Sequence, residues 1–569
     1  MVRIVRKPET PPAADGLADT AARNTLAVHP LIGIRATDFG GAARVLAGSF
    51  VQHPLRTARH AQRYAQAVGK VLAGEDPAGL DGADKRFADP AWRSNPFYRR
   101  LRAWHGVTAQ ELSAFVEETP LSTRDRARAQ LAASLWVDAA APSNTLLNPA
   151  ALRRALDTGG MSLVRGARNL VHDIRHNHGM PSSVNKAGFE LGRNLCLSPG
   201  RVVFRNEVLE LIQYQPTVDK VHARPLVMCP PQVNKFYAVD LSPDKSLVRW
   251  IMGQGLQMFV VSWCNPTAAQ RDWGLSTYVQ ALDAAVDAAR QITGSPDVNL
   301  WGACSGGMTA AAYLGWLAAT GQRKVASIVS PVCVLDPAQA SDSTLGLLLG
   351  QPGVEGLAGV ARRKGVVEGS ELARVFAWLR PNDLVWNYWV NNYLLGNDPP
   401  AFDILYWNAD TTRLPAALHA DLVGLFRDAP FARAGVLEVL GEKINLRKVK
   451  VSAYFVAGTT DHITPWQACF DSARLYGPDS QFVLTNAGHV QSMLCPPGAP
   501  KAQFQAAPVG RGSAQDWLAT AARRDGSWWP HWMDWMRRRS GPLVDAPRRL
   551  GSRKHRPAEA APGTYVHAS

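Results

Sequence analysis

Leu300-Trp301-Gly302-Ala303-Cys304-Ser305-Gly306-Gly307 is the stretch that decides the reading. Before it, DVNLWG (297–302) reads as a strand; after it, MTAAAYLGWLAATG (308–321) reads as a helix that stops at glycine. Strand, G-x-C-x-G, helix is the pattern of a nucleophile elbow with cysteine in the nucleophile's place. The nucleophile of an elbow sits at a sharp turn with strained backbone, and flanking glycines avoid clashes there. The N-terminus of the following helix favours negative charge, which lowers a thiol pKa and helps to bind an oxyanion. Taken alone, a glycine-rich turn with an incidental cysteine explains the stretch equally well.

The surroundings change that balance. PLVMC (225–229), QMFVVSW (257–263) and KVASIVSPVCVL (324–335) read as strands, and STYVQALDAAVDAARQI (276–292) as an amphipathic helix. Such alternation predicts a parallel sheet covered by helices. It breaks at about 336 and resumes with KVSAYFVAG (450–458), a helix from Trp466, and SQFVLTNAG (480–488). The interval 336–445 is therefore expected to be a cap inserted over the C-terminal edge of the sheet. The expected fold is α/β, an α/β-hydrolase fold with an inserted cap and a helical N-terminal domain. Expected boundaries are a loose segment over 1–30, the helical domain over 31–195, the catalytic domain over 196–540 and a basic tail over 541–569.

An elbow of this kind needs an acid and then a histidine downstream, in that order. Asp461 follows the strand at 450–458, and His489 follows the strand at 480–486. All three residues fall at C-terminal strand ends, so the predicted catalytic set is Cys304, Asp461 and His489. His489 would take the thiol proton, and Asp461 would orient the imidazole or hold its charged form. The Ser305 N–H would supply one oxyanion donor. A second should come from Pro230-Pro231-Gln232-Val233-Asn234; proline has no N–H, which leaves Gln232 or Val233, with Val233 the site candidate. His462, beside Asp461, is a secondary candidate base, although a structural hydrogen bond explains it as well. His172, His176 and His178 have a spacing that could suit a metal, but no carboxylate or cysteine motif accompanies them. No metal and no cofactor are expected.

Composition excludes several classes. The 569 residues carry 19% charged and 46% hydrophobic side chains, as a packed globular chain does. Net charge is +15, and residues 537–559 supply +6 of it, with eight Arg or Lys against two acids. No nucleic-acid-binding motif accompanies that charge, so nucleic acid is discounted as a partner and a solvated basic tail is expected. None of the 7 cysteines forms C-x-x-C. The opening MVRIVRKPETPPAADG lacks an apolar core, and no run of 18 apolar residues occurs. A cytoplasmic protein with reduced thiols and no transmembrane segment is the expectation.

A cysteine nucleophile suits thioester exchange, because an acyl group moves between sulfurs at little thermodynamic cost. Trp386, Tyr388, Trp389, Tyr393, Phe402, Tyr406 and Trp407 in the cap could face an apolar acyl chain or polymer, or could equally pack the cap. Trp528, Trp532 and Trp535 share one helix face by spacing; packing on the sheet is the default and contact with a hydrophobic granule the sharper alternative.

GACSGG, PPQVNKFY, VSWCNPT, WLRPNDLVWNYWVNNYLLGNDPPAFDILYWNADTTRLP, GTTDHITPW and NAGHVQSMLCPPGAPKA resemble the bacterial polyhydroxyalkanoate synthases. The likeness runs from about 85 onward, through DKRFADPAWRSNPFYRR to EAAPGTYVH, and is most like the class II enzymes, which prefer medium-chain substrates. The resemblance implies polymerisation of (R)-3-hydroxyacyl-CoA into polyester with release of CoA. It implies Cys304 as nucleophile and His489 as base. In the family the counterpart of Asp461 is often assigned to activating the substrate 3-hydroxyl, which differs from an orienting role. It also implies a homodimer, a mobile cap and attachment to polymer granules with their associated proteins in the cytoplasm. Cys264 in VSWCNP departs from the family, which usually carries arginine there. Arg380 is a candidate contact for the CoA phosphates. A cysteine-dependent thioesterase or polyester depolymerase on the same fold is the alternative, and a catalytically silent granule coat a third reading.

Overall fold

The computed structural model describes residues 36–75, 84–177, 179–338, 359, 361–369, 382–461 and 463–569. The segment expected to be loose (1–30), His178, Arg380 and His462 lie outside the described residues.

The N-terminal region is helical: α1 Ala36–Gln52, α2 Pro54–Ala73, α3 Pro96–Glu118, α4 Thr123–Ala139, α5 Pro149–Asp157 and α6 Met161–His176. Local chemistry sets their starts. Asn95 and Asn148 cap α3 and α5 by accepting backbone N–H bonds, each followed by proline in the first turn. Helix α6 is turned inside out relative to an ordinary surface helix. Its buried positions are Ser162, Gly166 and Asp173, whereas Leu163, Val164, Val171 and Ile174 are exposed. The small and polar face is buried because residues 390–397 lie directly on it. A Cβ on Gly166 would collide with the Tyr393 backbone, Asn169 donates to the carbonyls of Asn392 (3.1 Å) and Asn397 (3.0 Å), and the Tyr393 hydroxyl donates to Asp173 (2.7 Å).

The catalytic region is built on ten strands: β1 Gly200–Arg205, β2 Leu209–Tyr214, β3 Leu226–Cys229, β4 Met258–Trp263, β5 Val298–Gly302, β6 Val325–Pro331, β7 Ser452–Gly458, β8 Gln481–Thr485, β9 Gln503–Pro508 and β10 Arg523–Asp525. Their order is β1-β2-β4-β3-β5-β6-β7-β8-β9-β10. The six central strands, β4 to β8 in that order, are parallel. Both flanks are antiparallel, so the sheet is mixed rather than wholly parallel. The short Asn206–Val208 link between β1 and β2 leaves no room for a crossover helix, which dictates an antiparallel pair.

Strands β2 to β5 are buried along their whole length, hence their continuous apolar runs. On one face Val227, Phe259, Val261 and Leu300 pack under α7 (Leu275–Thr293), α8 (Cys304–Ala319), α9 (Ala416–Asp428) and α10 (Trp466–Arg474). On the other, Met228, Val260, Trp301 and Tyr454 meet α11 (His489–Met493) and α12 (Trp529–Arg537). Trp528, Trp532 and Trp535 are at most 6% exposed and belong to this second layer, so the tryptophan face packs on the sheet and offers no outward contact.

Residues 541–569 lie along the β1 side of the molecule. Leu543–Asp545 pairs with Lys220–His222, and 558–561 adds hydrogen bonds to Gly200 and Val202 at the free edge of β1. Glu210, fully buried on β2, accepts from Arg205 and from the Thr564 and Tyr565 N–H groups. The basic segment is thus fastened to the sheet.

Within the expected cap interval, Val366–Val367 pairs with Leu414–Pro415, and α9 returns to the catalytic core through Asp421, which accepts the Leu275 N–H at 2.7 Å. Tyr388 and Trp407 are buried, and Trp389 donates to the Asn144 carbonyl at 3.0 Å.

Candidate active site

Cys304 stands between β5 and α8 with φ of 49°, a left-handed backbone that side-chain-bearing residues rarely adopt. This is the strained turn of an elbow. The glycines behind it are required by space. A Cβ on Gly306 would fall on the Cys229 and Pro230 carbonyl oxygens, and one on Gly307 would come 2.6 Å from Cys333 Sγ. Register brings β3 level with the elbow, since Cys229 pairs with Gly302, and the Pro230 loop therefore leaves the sheet beside Cys304.

Strands β5, β7 and β8 are parallel members of one sheet, so the loops after them share an edge. The predicted acid and base meet there: His489 Nδ1 lies 2.7 Å from Asp461 Oδ2, and both side chains are buried. With Nδ1 committed to Asp461, Nε2 is the ring nitrogen left for a second partner. Burial alone would lower the imidazole pKa. The Asp461 charge and hydrogen bond, with the contribution of Cys304, outweigh it and raise His489 to about 10. Burial likewise pushes Asp461 up, but His489 and the Thr464 donors more than offset it and hold the carboxyl below its usual range.

Asp461 has no free oxygen. Oδ1 accepts the Ile463 N–H (2.9 Å) and Thr464 N–H (3.0 Å); Oδ2 accepts the Thr464 hydroxyl (2.6 Å) besides His489. Thr464 went unnoticed in the sequence, although D-x-x-T in a loop is the signal of an Asx turn.

Ser305 lies in the first turn of α8, where backbone N–H groups have no acceptor within the helix. Gln232 and Val233, the alternatives for the second donor, differ sharply. The Gln232 N–H is committed to Ser305 Oγ at 3.2 Å, whereas no hydrogen bond from the Val233 N–H occurs among the described residues.

All seven thiols are free, and only Cys304 and Cys264 are not fully buried. Burial pushes the Cys196, Cys229, Cys333 and Cys469 thiols up, so they are inert as nucleophiles. Cys264 is raised too, by burial and by the charge of Glu210. His172 and His176 stack one turn apart on the exposed side of α6, 4.5 Å between rings. A cavity of about 970 Å3 lined by Ser452, Tyr476 and Arg539 opens at the N-terminal end of β7, the opposite edge of the sheet from Cys304.

Sheet, elbow and histidine–aspartate pair define an α/β-hydrolase fold with a cysteine at the elbow. Residues 252–494 match the family described as alpha/beta hydrolase fold, and residues 83–251 the family described as the N-terminus of poly-beta-hydroxybutyrate polymerase. Poly(3-hydroxyalkanoate) polymerase 1 of Ectopseudomonas oleovorans is 50% identical, with 97% of this chain and 99% of the relative covered. Polymerase 2 of the same organism is 48% identical (95% and 96% covered), and the PhaC subunit of the Cupriavidus necator polymerase 38% identical (85% and 83%). The chain belongs to the poly(3-hydroxyalkanoate) polymerase family. The resemblance read from the motifs is borne out and reaches well upstream of residue 85.

Proposed function

We propose that this protein polymerises (R)-3-hydroxyacyl-CoA, of medium chain length, into polyhydroxyalkanoate with release of CoA. The observation that carries this is the His489–Asp461 pair at 2.7 Å, at the same sheet edge as the Cys304 elbow, in a chain 50% identical to a polymerase over nearly its whole length. The Cys304 sulfur attacks the thioester carbonyl with the proton held on His489. The carbonyl electrons collect on an oxyanion that the Ser305 and Val233 N–H groups receive. Collapse of that adduct breaks the carbon–sulfur bond to CoA, and His489 protonates the departing thiolate. In the second half, His489 takes the proton of a 3-hydroxyl as its oxygen attacks the acyl-cysteine. An ester forms and the thiol returns with that proton. The saturated hydrogen bonding of Asp461 supports an orienting role for it over direct activation of the substrate hydroxyl.

The inverted helix α6 supports granule attachment. Its exposed Leu163, Val164, Val171 and Ile174, with Leu152 and Leu156 on α5, offer an apolar surface beside Arg165 and Arg168. No helix among the described residues is long and apolar enough to cross a membrane. A cytoplasmic homodimer on the granule surface completes the reading, and the unit boundaries expected from the sequence remain part of the proposal.

The test is incubation of the purified protein with (R)-3-hydroxydecanoyl-CoA, following thiol release and product, beside Cys304→Ala. CoA release with insoluble polyester, lost in the variant, is expected. Free 3-hydroxydecanoate without polymer would make the protein a thioesterase, and release retained in Cys304→Ala would remove Cys304 as nucleophile.

A further inference from the structure

The loop that carries the candidate second oxyanion donor is held from the far side by the cap interval. Thr412, 7% exposed, places Oγ1 2.8 Å from the Gln232 carbonyl and 2.6 Å from the Val233 carbonyl. A hydroxyl has one proton, so the two carbonyls share it. The Gln232 carbonyl and the Val233 N–H belong to one peptide unit, which is planar and trans, so they point in opposite directions. Holding that carbonyl toward Thr412 therefore aims the Val233 N–H away from Thr412. This N–H makes no hydrogen bond among the described residues. On its other side the loop is fixed by the Gln232 N–H to Ser305 Oγ and by the Trp263 indole to the Pro230 carbonyl (2.8 Å).

Thr412 is itself held in place. Thr411 bridges to Asn234, the Arg413 N–H donates to Asn265 (2.9 Å), and the Trp407 indole donates to the Lys235 carbonyl (2.7 Å). Asp410 pairs with Lys235 at 2.7 Å and accepts the Tyr237 hydroxyl at 2.9 Å.

We propose that Thr412 is a positioning residue, whose hydroxyl fixes the 232–233 peptide so that the Val233 N–H serves the oxyanion formed at Cys304. This rests on the acyl-transfer reading of the site, but not on polymer formation. Loss of one oxyanion donor costs on the order of a hundred- to a thousandfold in kcat, and a misaimed donor is expected to cost at least about tenfold.

The full-length protein and its Thr412→Val, Thr412→Ala and Thr412→Ser variants are compared in two reactions at Cys304. One is acylation by a p-nitrophenyl acyl ester, which passes through an oxyanion; the other is alkylation by iodoacetamide, which does not. CoA release from 3-hydroxydecanoyl-CoA is recorded alongside. Expected are slower acylation in Thr412→Val with kcat lowered and KM unchanged, alkylation at the parent rate, and recovery in Thr412→Ser. Thr412→Ala decides if the valine variant does not fold. Acylation at the parent rate in the folded valine or alanine variant overturns the proposal. So does an equal loss of acylation and alkylation, which marks a merely structural role. A parent protein that acylates from the ester yet releases no CoA would refute the polymerase reading while leaving this comparison intact.

Discussion

The Thr464 hydroxyl reaches Asp461 Oδ2 at 2.6 Å, on the same oxygen that receives His489 Nδ1. Thr464 thus helps to keep the carboxylate ionised against its burial. Thr464→Val removes this donor. A hydrogen bond to a charged group is worth about 1.5–3 kcal/mol, so kcat should fall roughly tenfold or more. The acid limb of the pH–rate profile should move to higher pH, because the Asp461 pKa rises. Thr464→Ser should restore both, and an acid limb unmoved in Thr464→Val would contradict this.

The charge pair makes stability depend on pH with a definite sign. His489 is raised in the folded state to about 10. Its contribution is full below the unfolded imidazole pKa of roughly 6.5 and is lost as pH rises through about 10. Asp461 is lowered, so its contribution is present above the unfolded carboxyl value and fades as pH falls through the folded one. Denaturant unfolding of the parent and Asp461→Asn should show the largest gap near pH 6, narrowing toward pH 10. A gap that stays constant across that range would exclude the pair as its source.

Gly306→Ala is expected to be severe for a single methyl group. Its Cβ would meet two backbone carbonyl oxygens, at Cys229 and Pro230, and neither can swing aside as a side chain can. Overpacking of this kind costs about 1–3 kcal/mol, and it would push the Pro230 loop off the elbow. Lowered stability with acylation of Cys304 lost is the expected outcome. Wild-type acylation would mean that the loop yields freely.

Trp532 is fully buried among Trp250, Trp528 and the residues under α12. Trp532→Ala should cost about 3–5 kcal/mol of stability. It should leave the share of folded protein found on granules unchanged. Weaker granule binding at undiminished stability would reverse the assignment of this tryptophan face to the core.

The elbow was legible because its glycines, strand and helix are contiguous, and the acid and base because chain order and strand ends constrain them. The antiparallel flanks were not. Strand β2 carries Glu210 in LELIQY, and its burial makes sense only through Arg205 and the Thr564–Tyr565 backbone, the latter more than 350 residues away. Thr412 is equally silent in sequence, since its acceptors lie 180 and 179 positions upstream. Helix α6 reads as amphipathic, yet its periodicity cannot say which face looks inward; contact with 390–397 decides that.

A mixed sheet ending in β1 and β10 has two rims that could recruit stray chains. On β1 the hydrogen-bonding positions of Gly200 and Val202 are already taken by 558–561, so a foreign strand finds that rim occupied. On β10 the exposed Arg523, Arg524 and Asp525 confront any newcomer with charge. The protein is thereby insulated against cross-β association at both ends, so that neither rim of the sheet templates the pairing of a second chain.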